Sequence, residues 1–183
     1  MKTVYILVAE GFEEIEAVTP ADLLRRAGVD CKLVSVTGQL EVAGAHGIVY
    51  RTDMLFEEGA FQAVDGIILP GGMPGTIHLQ EHEGVKRVIT EFYEKNKVIC
   101  AICAAPMILG QMGLLKGRVA TIYPGMEEHL HGATLSQETV CIDKNIVTSR
   151  APGTAFEFAL KLIEVFVDKE KKEQIKKETV YYG

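Results

Sequence analysis

The sequence predicts an α/β fold: a mostly parallel sheet with helices on both faces. Three observations carry this. Short apolar runs rich in β-branched residues alternate with stretches of helical spacing along the chain. Four strand ends carry conspicuous groups: Glu10-Gly11-Phe12, Pro70-Gly71-Gly72, Cys103-Ala104-Ala105-Pro106 and Ser149-Arg150-Ala151-Pro152-Gly153. The length of 183 residues suits one domain, 1–183, that buries its own core without a metal or disulfide staple.

Thr3 to Val8 reads as a buried parallel strand. Helical spacing follows, with Ile15, Val18, Ala21, Leu24 and Ala27 on one stripe and Gly28 placed to end it. Pro20 lies inside that stretch and predicts a kink or a restart. Cys31 to Val36 is the second strand, and Glu41 to Thr52 reads as short strands on a sheet edge. Gly66 to Leu69 is a buried strand that stops at Pro70-Gly71-Gly72. A helix from about Glu83 to Lys95, a strand from Val98 to Ile102 and a helix from near Ala105 to Gly113 come next. Short strands around Val119 and Val140, a strand from Ile146 to Thr148 and a helix from Thr154 to Val167 complete the alternation. The terminal KEKKEQIKKE predicts a solvated helix, because glutamates interleave with the lysines. In a parallel sheet the four conspicuous ends gather on the carboxyl edge, where such folds place their sites.

Composition excludes several classes of function. A net charge of -6 with a pI of about 5.4 argues against nucleic acid as a partner. The opening MKTVYILVAEGFEE is too short in its apolar run for a signal peptide. No stretch approaches the roughly 20 apolar residues of a membrane helix. These features predict a cytoplasmic protein whose cysteines, Cys31, Cys100, Cys103 and Cys141, are reduced.

VICAICAAPMIL carries the strongest chemical signal. An apolar strand leading into a nucleophile flanked by small residues is the pattern of a nucleophile elbow, whose sharp turn exposes Cys103. The first turn of the following helix would favour its thiolate. The plain alternative is a buried cysteine acting as a small hydrophobe. Cys100 completes a C-x-x-C, but it lies inside the strand, and the odd spacing predicts opposite faces for the two thiols.

Glu13, Glu14 and Glu16 suit a helix N-terminus. Glu16, crowded by Ile15, Ala17 and Val18, is placed to stay protonated and hydrogen-bond a thiolate. Gly71 and Gly72 leave backbone amides uncovered, which with the Ala104 amide suits an oxyanion pocket or equally a plain turn. His46, His78, His82, His129 and His131 show no zinc spacing with cysteine, and no metal site is predicted.

Taken in order from about Lys2 to Val167, AEGFEEIEAVTPADLLRRAGV, ILPGG, ICAAP and TSRAPGTAFEFAL resemble the ThiJ/PfpI superfamily. The likeness points to the branch of the parkinsonism-associated deglycase and its bacterial relatives. The resemblance implies a flavodoxin-like three-layer sandwich and a homodimer. It implies Cys103 as the oxidisable nucleophile, Glu16 as the acid that contacts it, and Gly72 and Ala104 as the amides lining the site. Gly71 and Tyr123 fall at site-lining positions, and Arg26 matches an arginine near the dimer contact.

Two departures bear on activity. Tyr123 stands before Pro124 where deglycase-branch members often carry a histidine, and Ala104 follows the cysteine where protease-like members place one. A peptidase or amidase needs such a base, so that reading is weak. The resemblance implies a cysteine-dependent enzyme of glyoxalase III or deglycase type, protecting against reactive carbonyls without a cofactor. Its partner would be a small aldehyde or a glycation adduct. The alternative is a redox-responsive or chaperone-like protein whose Cys103 oxidises to sulfinate with little catalysis. A binding domain with no reactive thiol is the third expectation.

Overall fold

The computed structural model describes residues 1–182. Its strands in chain order are β1 (Thr3–Val8), β2 (Asp30–Ser35), β3 (Glu41–Ala43), β4 (Val49–Arg51), β5 (Met54–Leu55), β6 (Gly66–Leu69), β7 (Val98–Ile102), β8 (Val119–Ala120), β9 (Thr134–Leu135), β10 (Val140–Asp143) and β11 (Ile146–Ser149). The helices are α1 (Glu14–Arg26), α2 (Gly75–Glu81), α3 (Glu83–Glu94), α4 (Pro106–Gln111), α5 (Ala155–Phe166) and α6 (Lys169–Glu178).

A seven-stranded sheet runs β10-β11-β7-β6-β1-β2-β5, parallel except for β10 against β11. Its near-continuous apolar strands are those of a sheet covered on both sides. One core cluster joins Leu7, Ile67, Ile99, Leu79, Ile89 and Leu109 on the α2–α3–α4 side. The other joins Ile6, Ile68, Cys100, Leu24, Phe158 and Ile163 on the α1–α5 side. The result is the expected three-layer α/β sandwich. The chain reverses direction across the sheet between β1 and β6, and the carboxyl ends of β1, β6 and β7 meet at that switch.

Helix α1 departs from its predicted stripe. Ile15 is 52% exposed, whereas Glu14 and Glu16 are buried with Ala17, Pro20, Ala21, Leu23 and Leu24. The first turn faces loops that offer hydrogen-bond donors, so carboxyl groups take the inner positions and Ile15 turns out. Pro20 neither stops nor restarts the helix. The N–H it lacks is the one that would bond the Glu16 carbonyl, so the cost falls on that turn. The helix ends as expected: Gly28 (φ 83°) donates to the Arg25 carbonyl and Val29 to that of Leu24.

Strands β3 and β4 form a separate antiparallel ribbon, and the sheet edge is β5 instead. Helix α2 is an addition to the predicted elements; its seven residues follow a glycine- and proline-rich turn that reads as loop. Helix α6 is polar but docked: Ile175 is buried, Lys172 pairs with Glu164 on α5 at 2.7 Å, and Tyr181 stacks on Phe156. No helix among the described residues is long and apolar enough to cross a membrane.

Candidate active site around Cys103 and Glu16

Strand β7 ends at Ile102, and Cys103 takes a left-handed backbone with φ 63°. For a residue with a Cβ this conformation costs roughly 1–2 kcal/mol. It persists because both sides of the peptide are held. The Cys103 amide donates to the Ser149 carbonyl at 3.0 Å, and its carbonyl accepts from the Tyr123 amide at 2.9 Å. The Ala105 amide closes the turn on Ile102 at 3.1 Å, and Pro106 opens α4.

This backbone also corrects the expectation for the C-x-x-C. Along β7 the side chains alternate, with Cys100 and Ile102 in the α1–α5 layer and Ala101 in the other. The positive φ breaks that alternation, and Cys103 packs against the same layer as Cys100. Cys100 is fully buried and its thiol is pushed well up by burial alone. All four cysteines are free thiols.

Glu16 reaches this elbow from the first turn of α1 and is wholly buried. Its Oε2 accepts from the Gly71 amide at 2.8 Å. The Gly71 carbonyl in turn accepts from the Glu13 amide at 2.9 Å. Burial pushes the Glu16 carboxyl up to about 7, against hydrogen bonding from Cys103 and the Gly71 amide. Oε1 has no partner in hydrogen-bond geometry, yet carboxyl and thiol are near enough to perturb each other's ionisation.

Cys103 itself is pushed up, first by burial and then by the Glu16 charge and hydrogen bond, while the Ala104 and Gly72 amides pull it down. The repulsion operates only when Glu16 is ionised. A protonated Glu16 removes it and adds a donor, so the ionisation of the thiol depends on that of the carboxyl.

The predicted residues are therefore gathered around one point. Gly71 and Gly72 lie against α1, with the Gly72 Cα facing the backbone of Gly11, Phe12 and Glu13. Tyr123 meets Cys103 through its backbone amide, and the residue is 44% exposed. No histidine is among the groups that shift Cys103 or Glu16.

One neighbour of the α1 first turn is not marked by the sequence. His46, in the turn between β3 and β4, places Nδ1 2.8 Å from Glu14 Oε2 and 3.7 Å from Glu13 Oε2, while its amide donates to Glu14 Oε1 at 2.8 Å. The side chain of Glu14 fills the space over Gly44. The imidazole thus stands between the two carboxylates and forms an ion pair with them when it is protonated. Only the ribbon's folding brings residue 46 to residue 14, so no local signal could have marked it.

The chain matches the sequence model of the DJ-1/PfpI family over residues 2–165. It belongs to the DJ-1/PfpI family. Protein DJ-1 homolog A of Arabidopsis thaliana is 40% identical over 177 residues, which are 95% of this chain and 45% of that protein. The chain thus spans less than half the length of that relative. The Parkinson disease protein 7 homolog of Danio rerio is 34% identical, with 96% of this chain and 95% of that one covered. Among solved structures, oxidized DJ-1 of Toxoplasma gondii superposes with a TM-score of 0.96 at 35% identity, covering 100% of both chains.

Proposed function

We propose that this DJ-1/PfpI member is a cysteine-dependent enzyme acting on reactive carbonyls, of glyoxalase III or deglycase type, and serving in stress protection. One observation carries the reading. A strained, backbone-clamped Cys103 stands beside the buried Glu16, whose carboxyl is poised at about 7. A carboxyl so poised is able to give and take a proton near neutrality.

On methylglyoxal, the Cys103 thiolate forms a C–S bond to the aldehyde carbon. The carbonyl π pair moves to oxygen, which is held by the amides of Gly72 and Ala104 and protonated to a hemithioacetal. Glu16, as carboxylate, removes the hydrogen left on that carbon to give an enediol. As carboxylic acid it returns a proton to the neighbouring carbon, leaving a lactyl thioester. Water cleaves the thioester to lactate and the free thiol. One carbon is oxidised and its neighbour reduced, so no cofactor is consumed.

The test is lactate formation from methylglyoxal by wild type, Cys103→Ser and Glu16→Gln. Loss in both variants supports the reading, and equal activity in all three ends it. The absence of a histidine influencing Cys103 leaves the carbonyl step without the usual second base and favours a second reading. In it Cys103 is oxidised by peroxide, through sulfenate to sulfinate, with water as the by-product at each step. Mass increases of one and then two oxygens on Cys103, without carbonyl turnover, would select it. A homodimer and a cytoplasmic location belong to the same proposal. Ile15, Ile48 and Val49 offer exposed apolar surface on α1 and the ribbon, and light scattering decides the oligomeric state.

A further inference from the structure

Away from the thiol, the first turn of α1 and the ribbon turn bring together donors of the kind that hold metal ions. Among the described residues, one oxygen each of Glu13 and Glu14 and a ring nitrogen of His46 lie within 4.8 Å of one another. Nδ1 of His46 stands 2.8 Å from Glu14 Oε2 and 3.7 Å from Glu13 Oε2. Donors sharing one ion at bonds of about 2.1 Å stand roughly 2.9–3.4 Å apart, from octahedral to tetrahedral angles. The two distances bracket that range. No histidine spacing marked this group, because its partners are carboxylates that the ribbon meets only in the fold.

The donors are held in place by contacts of their own. Backbone bonds fix the ribbon to the entrance of α1: the Gly11 amide donates to the Ala43 carbonyl and the Ala45 amide to the Phe12 carbonyl, both at 2.8 Å. Glu14 is 4% exposed, and its Oε1 takes the His46 amide at 2.8 Å, which leaves Oε2 for the ring. Gly44 makes room for that carboxylate, since a Cβ there would overlap it. The imidazole side is open, with the His46 side chain 67% exposed, so water reaches the remaining coordination positions.

Charge points the same way. Among the described residues the ion pairs of Glu13 and Glu14 are with His46 alone, so two crowded carboxylates face one imidazole. Glu13 is raised first by burial, against the pull of His46, and then by the Glu14 charge. A divalent ion balances both carboxylates, whereas an imidazolium balances one. The N-terminal end of α1 opposes a cation with about half a charge, less than the two carboxylates supply.

We propose that Glu13, Glu14 and His46 bind a divalent transition-metal ion of the zinc type, through His46 Nδ1 and one oxygen of each carboxylate, with water completing the shell. The imidazole decides the class of ion: calcium takes roughly six to eight oxygens, and magnesium prefers carboxylates, phosphates and water. The ion takes the place of a proton on Nδ1 and ties the ribbon to α1. The proposal stands apart from both readings of Cys103.

The test is calorimetric titration with Zn2+ of wild type, Cys103→Ser, His46→Ala and Glu13→Gln, with folding checked by circular dichroism. One ion per chain is expected in wild type and in Cys103→Ser. In the other two variants affinity is expected to fall about tenfold or more, as it does on losing even an outer-shell partner. Glu13→Gln leaves the bonds between His46 and Glu14 in place, so its loss reports the ion rather than the ribbon. Mg2+ and Ca2+ are expected to bind more weakly than Zn2+. In NMR spectra of the wild type, Zn2+ is expected to shift the His46 ring signals before those of the other four histidines. Absence of Zn2+ binding in wild type, or wild-type affinity in both His46→Ala and Glu13→Gln, overturns the proposal. Loss of binding in Cys103→Ser overturns it as well, by placing the ion on the thiol.

Discussion

The Gly71 amide donates to Oε2 of Glu16 at 2.8 Å, and a Cβ on Gly71 would stand 2.7 Å from that same oxygen. It would also stand 2.8 Å from the Cβ of Cys103 and 3.1 Å from the Ala104 amide nitrogen. Gly71 is therefore both the hydrogen-bond donor that seats the carboxyl and the gap that lets carboxyl and thiol approach.

Gly71→Ala tests that gap. The backbone of Gly71 is not left-handed, so alanine meets no conformational penalty and the effect is steric alone. Neither the Cys103 Cβ nor the Ala104 nitrogen lies at the end of a flexible side chain. The variant is expected to lose about 1–3 kcal/mol, as overpacked cores do. Cys103 alkylation is expected to slow with it. Urea unfolding with wild-type stability, and an unchanged alkylation rate, would show that the site has room that the structure lacks.

The four thiols should separate cleanly by access. Cys31 and Cys100 are buried and pushed up by burial, Cys31 to about 12. Cys141 is buried and donates to the Val119 carbonyl at 3.3 Å. Cys103 alone is partly open and has amides stabilising its anion. Under native conditions one equivalent of iodoacetamide should therefore modify Cys103, with the other three reacting at the rate of unfolding. Peptide mass mapping over time reads this, and parallel labelling of all four would contradict it.

What the sequence made legible follows from range. The boundaries of β1, β6 and β7 were readable to the residue because each is an apolar run, followed by Ala9-Glu10-Gly11, Pro70 and Cys103 respectively. The turn at Cys103 was readable because an elbow is a local pattern, whereas Glu16 was set beside it by the resemblance, since Ile15, one of the apolar neighbours that marked it, faces solvent. The fate of Ile15 was not, since periodicity records which residues are apolar and not which face meets a donor-rich loop. His46 depended on a ribbon whose place relative to α1 is set by tertiary contacts. The shared layer of Cys100 and Cys103 depended on one dihedral angle.

The terminal helix was read as solvated from its interleaved glutamates and lysines, yet Ile175, its one strongly apolar residue, helps to dock it. Ile175→Ala should cost about 2 kcal/mol or more by leaving a cavity under α6. Amide exchange should then accelerate first in residues 169–178, while the β1, β6 and β7 amides remain protected until global unfolding. Uniform acceleration across the sheet would instead make α6 part of the cooperative core.

Stability against pH gives the most direct view of the buried carboxyl. Glu16 titrates at about 7 in the folded chain, against an ordinary value of 4.5. The folded state holds its proton more tightly than the unfolded state. The associated stability is therefore complete below the ordinary value and is lost as pH rises through 7. At about 1.4 kcal/mol per unit this amounts to roughly 3 kcal/mol. Glu16→Gln has no proton to lose, so its stability relative to wild type should improve by that amount between pH 4.5 and 8. The Cys103 thiol is shifted upward from its already higher value and ionises above this window, so it leaves the difference undisturbed. Urea melts of both proteins across the range measure the gap. A gap that stays constant with pH would mean that the carboxyl titrates alike in the folded and the unfolded chain, its burial fully compensated.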